Sequence, residues 1–164
     1  YNKDMKRLTI YTDGSHLKHT SGRLGIGGVL LDDSDNILSE FSEELSIEWL
    51  REKYGTSDVS NPTCEMLANL YALVKFRDLI KGCSSLTMKA DYEGVQKWNT
   101  GIWKARLPYI KAIKDQTTEE IERQGLKGKI HFEWVKGHQR KSILSRDSRW
   151  NDYVDKLAKG IKEK

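Results

Sequence analysis

The sequence predicts an α/β domain: a mixed five-stranded sheet with helices on both faces, in the order β-β-β-α-β-α-α-β-α. Three observations lead there. Three short apolar segments separated by turn residues open the chain, before any long helical period. After residue 61, helical stretches alternate with single strand-like runs, the pattern that lays helices over a sheet. Finally, the 164 residues, 37% hydrophobic and 32% charged, suit one domain, 1–164, with a buried core under a heavily charged surface.

The elements follow in order. Leu8, Ile10 and Thr12 alternate with polar or amphipathic neighbours, predicting a strand from Arg7 to Asp13. Gly22, Gly25, Gly27 and Gly28 lead into Val29-Leu30-Leu31, a glycine-rich second strand. Turn chemistry over Asp32 to Asn36 precedes a third strand, Ile37 to Leu45, closing a β-meander. Residues 46–60 suggest a short helix near 47–53 and then a loop. Asn61-Pro62 is a helix start, Asn capping and Pro at the first position. Leu67, Leu70, Tyr71 and Val74 recur at helical spacing, and Gly82 ends the run. Leu86 to Ala90 is a fourth strand, followed by helices over 92–98 and 108–124. Ile130, Phe132 and Trp134 alternate as a fifth strand. A last helix carries Trp150, Val154, Leu157 and Ile161 on one face.

Charge and composition narrow the function. No apolar run reaches the roughly 18 residues of a membrane span. Cys64 and Cys83 lack metal-ligand spacing and read as reduced thiols of an intracellular, cytoplasmic protein. The chain opens on Tyr1, not Met, which points to a fragment, a processed product or a trimmed chain. Net charge is +4, which permits a polyanionic partner. Its distribution says more: Lys97, Lys104, Arg106, Lys111 and Lys114 form a stretch without an acid, and Arg140, Lys141, Arg146 and Arg149 stand against Asp147 alone. Such runs are usually solvated faces. Here they flank acidic motifs, which favours a surface that tracks phosphates. Trp98 and Trp103 sit among Lys97, Lys104 and Arg106, an interleaving that suits sugar and backbone contact, with core packing as the alternative.

Four carboxylates stand at element ends. Asp13 closes strand one, Glu65 lies in the first turn of the helix after Asn61-Pro62, Asp91 follows strand four, and Asp155 lies on the last helix. Singly, each has an ordinary reading as a turn, a dipole-complementing acid, a cap or an i,i+4 partner of Lys159. Together they differ, because adjacent parallel strands would bring Asp13 and Asp91 side by side where α/β sheets bind ligands. Clustered carboxylates repel unless a cation compensates them. Hard oxygen donors without a Cys or His set suit Mg²⁺ or Mn²⁺.

Tyr11-Thr12-Asp13-Gly14-Ser15, Glu65, Asp91, Trp134-Val135-Lys136-Gly137-His138 and Asn151…Asp155-Lys156-Leu157-Ala158, in that order, resemble the signatures of type 1 ribonuclease H over nearly the whole chain. The resemblance implies a monomeric endonuclease that cuts the RNA strand of an RNA–DNA hybrid with two Mg²⁺ ions, which Mn²⁺ can replace, and leaves 5′-phosphates. It implies metal-ligating roles for Asp13, Glu65, Asp91 and Asp155, with Asp152 out of register, and a proton-relaying His138. Asn61 matches the place where the family holds a DNA-strand phosphate, with a plain helix cap as the alternative. Sensing the RNA 2′-hydroxyl would fall to Gly14, Ser15 and Glu65, and Trp98, Trp103 and Lys104 would contact the substrate. Three departures stand out. The family's extra basic helix is absent or reduced to a turn between Trp98 and Pro108, Tyr92-Glu93 replaces a common Ser-Gln, and residues 46–60 look inserted. The rivals are a non-catalytic binding module, an integrase-like or resolvase-like nuclease, and a detached reverse transcriptase domain.

Overall fold

The computed structural model describes residues 6–17, 23–136 and 145–160. Strands β1 (Arg7–Leu17), β2 (Arg23–Leu31) and β3 (Ile37–Ser46) form the antiparallel meander, while β4 (Ser85–Ala90) and β5 (Ile130–Trp134) add in parallel beyond β1. The sheet order is β3-β2-β1-β4-β5. The helices among the described residues are α1 (Ile47–Tyr54), α2 (Asn61–Lys75), α3 (Arg77–Ile80), α4 (Glu93–Asn99), α5 (Pro108–Arg123) and α6 (Arg146–Ala158). The expected sheet and its flanking helices are present. The short helix expected near 47–53 is present as α1, and α3 adds to the expected order. None of the described helices is long and apolar enough to cross a membrane.

Side-chain alternation divides the sheet into two faces. Leu8, Ile10, Leu24, Ile26 and Leu30 pack with α2 residues Cys64, Leu67, Ala68, Ala72 and Leu73 in the larger core. Tyr11, Val29 and Leu31 point the other way, against Trp150 and Val154 of α6. The glycines of β2 explain how closely α6 sits. A Cβ at Gly27 would lie 2.6 Å from Ala158 N, 2.7 Å from Leu157 Cβ and 2.8 Å from Val154 O, and one at Gly25 would collide with the Ala158 carbonyl. The glycine-rich run is thus a groove for a helix backbone.

Four local expectations change. First, β1 runs on past Asp13 to Leu17, because β2 continues to pair with it as far as Leu17↔Arg23. Only the β4 pairing stops early, at Tyr11↔Lys89. Second, the helix expected to reach Gly82 breaks at Phe76, whose buried ring packs 5.6 Å from that of Phe41. Third, Ser60, not Asn61, is the N-cap of α2, so Asn61 and Pro62 are its first two residues. Fourth, the stripe at helical spacing, Leu67 to Val74, faces the core only in part. Leu67 is buried, but Leu70 and Tyr71 are only partly so and Val74 is 44% exposed. This stripe borders a 510 Å³ cavity shared with Trp49 and Tyr54 of α1, while the sheet takes the adjacent face. On α6, Trp150, Val154 and Ala158 are buried and Leu157 partly so; Ile161 lies outside the described residues.

The start of α6 is pinned to the sheet. Asp147 accepts hydrogen bonds from the Tyr11 hydroxyl and from Lys89 Nζ at 2.9 Å, and Ser145 Oγ caps the helix by accepting from Ser148 N at 3.0 Å. Both cysteines are buried and unpaired, and burial pushes the Cys64 thiol up to about 12.

Candidate metal centre

Three carboxylates converge where β1 and β4 part. Asp13 lies two residues beyond Tyr11 and Asp91 two beyond Lys89, the last parallel pair, so the two strands deliver their acids at matching heights. Glu65 lies in the second turn of α2, not the first as expected, because the helix is capped at Ser60, and it reaches the same point. Ligand oxygens of Asp13, Glu65 and Asp91 lie within 4.8 Å of one another. Asp13 is 5% exposed and Glu65 3%. Gly14 makes the approach possible: a Cβ there would lie 2.7 Å from Cys64 Cβ, so any side chain would push α2 away. The Gly14 N–H donates to Glu65 Oε1 at 2.6 Å and fixes that carboxylate.

Electrostatics then requires a counter-charge. Burial pushes the Asp13 carboxyl up to about 7, and the charges of Asp91 and Asp155 add to the rise. Burial also holds Glu65 well above the ordinary carboxyl range, reinforced by the neighbouring Asp13 and by the charge of Asp91. The second Glu65 oxygen, Oε2, is buried and has no hydrogen-bond partner. A hard divalent cation answers all three features: it engages the orphaned oxygen, offsets the mutual repulsion and accepts an all-carboxylate donor set. The nearest thiol takes no part, since Cys64 Sγ donates to the Val59 carbonyl.

The remaining candidates divide. Asp155 lies close enough to Asp13 to raise its carboxyl but outside the three-carboxylate cluster, and its Oδ2 accepts from Lys159 Nζ at 2.9 Å. The i,i+4 pairing is therefore real, and so is the proximity to the centre. His138 lies outside the described residues. Asn61 is exposed at the start of α2. Gly14 is buried with its amide committed to Glu65, whereas Ser15 is half-buried opposite Gly25. Trp98 packs partly into the main core, Trp103 is 38% exposed, and Lys104 is exposed. No helix forms between α4 and α5, so the basic extra helix is absent there.

Two residues gain a place that sequence reasoning did not give them. Tyr92, noted only as a departure, packs at a tilt against Trp98 at 5.8 Å, and Trp98 meets Trp103 edge-on at 5.9 Å. An aromatic row thus leads from the carboxylates to the exposed turn at Ile102 and Trp103. Trp134 donates its indole N–H to the Asp91 carbonyl. No period or spacing marks a side-chain-to-backbone bond of that kind.

The RNase H family profile matches residues 5–162. The chain belongs to the RNase H family. Solved RNase H structures share its fold. LC11-RNase H1, isolated from compost, is 21% identical with a TM-score of 0.70, over 96% of each chain. RNase H1 from the halophilic archaeon Halobacterium salinarum is 20% identical at 0.67, over 94% of this chain and 96% of the other. The protease-reverse transcriptase of prototype foamy virus is 19% identical at 0.67, over 98% of this chain but 21% of that longer protein. LC11-RNase H1 has also been solved in complex with an RNA/DNA hybrid. At such identities the likeness concerns the fold. No curated protein sequence matches the chain.

Proposed function

We propose that this RNase H domain is a metal-dependent endonuclease that hydrolyses the RNA strand of RNA–DNA hybrids, acting as a cytoplasmic monomer. The carrying observation is the buried cluster of Asp13, Glu65 and Asp91, which is costly to fold unless it holds a cation. These three residues, with Asp155 beside them, would hold Mg²⁺ or Mn²⁺; two such ions supply charge stabilisation at the attacking and leaving oxygens of a phosphodiester. The chain's own contribution is placement. Gly14 N–H orients Glu65, and the strand ends of β1 and β4 fix the spacing of Asp13 and Asp91. His138 is assigned proton relay and product release, for which its ordinary titration range suits it.

The substrate would lie across the same end of the sheet. Asn61, at the N-terminus of the fifteen-residue α2, would hold a DNA-strand phosphate, an anion site that the helix end favours. Trp98, Trp103 and Lys104, with Lys97 and Arg106, would follow the backbone. Ser15 and Glu65 are the candidates for sensing the 2′-hydroxyl; the Gly14 amide contributes only through Glu65. The relative solved with a hybrid supports this substrate class. A parent reverse transcriptase, the setting of the similar foamy virus domain, would leave the chemistry unchanged. The test uses matched RNA–DNA, RNA–RNA and DNA–DNA duplexes, each strand labelled in turn, with Mg²⁺ and with chelator. Cleavage confined to the RNA strand of the hybrid and lost in chelator is expected. Undiminished cutting in chelator, or comparable cutting of DNA–DNA, would reject the proposal.

A further inference from the structure

We infer that Trp134 is a positioning residue for Asp91, and that its indole N–H tunes how tightly the centre holds a divalent cation. The inference deepens the metal-centre reading and rests on it. The backbone geometry comes first. β4 and β5 pair in parallel up to Ala90↔Trp134, and Val135 N closes the ladder by donating to the Ala90 carbonyl at 2.8 Å. Asp91 is the first residue beyond that ladder, where no β5 amide reaches it. Its carbonyl would hang free at the point where the chain turns toward α4. Instead Trp134 Nε1 donates to the Asp91 carbonyl at 3.0 Å. A side chain of β5 thus extends the sheet by one rung, under the carboxylate that has to meet Asp13 and Glu65.

The placement of Trp134 is otherwise poorly explained. Its ring is 41% exposed, and it belongs to neither buried cluster. Burial alone therefore does not account for a tryptophan at this strand end, whereas a donor long enough to reach past the last rung does. On the other side of Asp91, α4 is also tied to β5, because Gln96 Nε2 donates to the Phe132 carbonyl at 3.2 Å. The turn that carries Asp91 is thus held to β5 at both ends. Partners that orient a metal ligand without touching the metal commonly set affinity, and removing one typically costs 10-fold or more. Here the bond reaches the ligand's backbone through a half-exposed indole, so about a 3-fold to 10-fold loss is expected.

The test is Trp134→Phe in the whole domain, which keeps an aromatic ring and removes the N–H. Mg²⁺ affinity is measured by calorimetry without substrate, beside thermal unfolding in chelator. Expected is Mg²⁺ binding weakened about 3-fold to 10-fold, with turnover largely restored at saturating Mg²⁺. A fall in unfolding temperature with unchanged Mg²⁺ affinity would overturn the inference, since it would make Trp134 merely structural. A second measurement needs no variant. In ¹⁵N-labelled wild-type protein the Trp134 indole N–H should exchange slowly with solvent despite its exposure, and its resonance should shift as Mg²⁺ is added. A fast-exchanging indole, or one indifferent to Mg²⁺, would also overturn it. Wild-type protein that binds no Mg²⁺ at all would instead reject the metal-centre reading, so the two failures are distinguishable.

Discussion

Replacing Gly27 by Ala tests whether the docking of α6 governs the site. Gly27 pairs with Asp13 across the β1–β2 ladder, so the perturbation falls beside the carboxylates. The added Cβ would meet Ala158 N at 2.6 Å, Leu157 Cβ at 2.7 Å and Val154 O at 2.8 Å. Contacts below 3.0 Å do not persist, so α6 has to retreat by at least 0.4 Å, the difference between 3.0 and 2.6. Overpacking of this kind costs about 1–3 kcal/mol. Ala in a strand recovers roughly 0.5–1 kcal/mol of the backbone entropy that Gly loses. The net loss is about 1–2 kcal/mol, a fall in Tm of roughly 2–8 °C for a domain of this size. Activity should fall further than stability, because Asp155 directly follows Val154, one of the displaced groups. A misplacement of about 1 Å can cost 10²-fold, so a loss of roughly 10-fold is expected from a shift about half as large. Chemical denaturation gives the stability, and hybrid cleavage well below Tm gives the activity. Wild-type values for both would refute the docking argument, and a stability loss without an activity loss would detach Asp155 from the chemistry.

Three further outcomes are expected. In chelator, stability should fall as pH rises from about 4 toward about 7. The folded Asp13 carboxyl lies near 7 and the unfolded one near 3.9, so within that window the native state binds more protons and loses ground as they leave; thermal unfolding of Asp13→Asn should show a flatter slope, and an unchanged slope would remove Asp13 as its source. Neutralising Lys97, Lys104 and Arg106 together should weaken hybrid binding and lower the slope of log affinity against log salt by about one unit per lost phosphate contact; a constant slope would mark a solvated face. His138→Ala should lose about 10²-fold in turnover, less than Asp91→Asn, and equal losses would argue against a relay.

The sequence carried the sheet well because its signals were local: the glycine-rich β2, the turn at 32–36 and the alternating β5 each follow from period and turn chemistry. Asp13 and Asp91 were legible because adjacent parallel strands would bring their ends side by side, and Glu65 because its helix falls in the order of the family's signatures. What escaped depended on tertiary contact. The break at Phe76 comes from a ring buried against Phe41, a partner 35 residues upstream (76 − 41). The Leu70–Val74 side of α2 borders the cavity it shares with α1 and α5, a placement that α2 itself does not encode. The cap moved from Asn61 to Ser60 because position 60 has the extended backbone of a cap, a one-residue shift that composition cannot resolve. The Trp134–Asp91 bond was invisible for the same reason as the Phe76 break: it joins distant segments through a side chain.

The docking of α6 onto the glycines of β2 also sets an order of events during synthesis. β1, α2 and β4 can gather Asp13, Glu65 and Asp91 once residue 91 has been made, but the helix bearing Asp155 ends only at Ala158. The interval of 67 residues (158 − 91) takes roughly 3–13 s at about 5–20 residues per second. Through that interval a nascent chain carries three of its carboxylates beside an uncovered strip of β2, with Gly25 and Gly27 facing water. A domain arranged this way receives Asp155 only with its last helix, and a product truncated before residue 155 lacks it altogether.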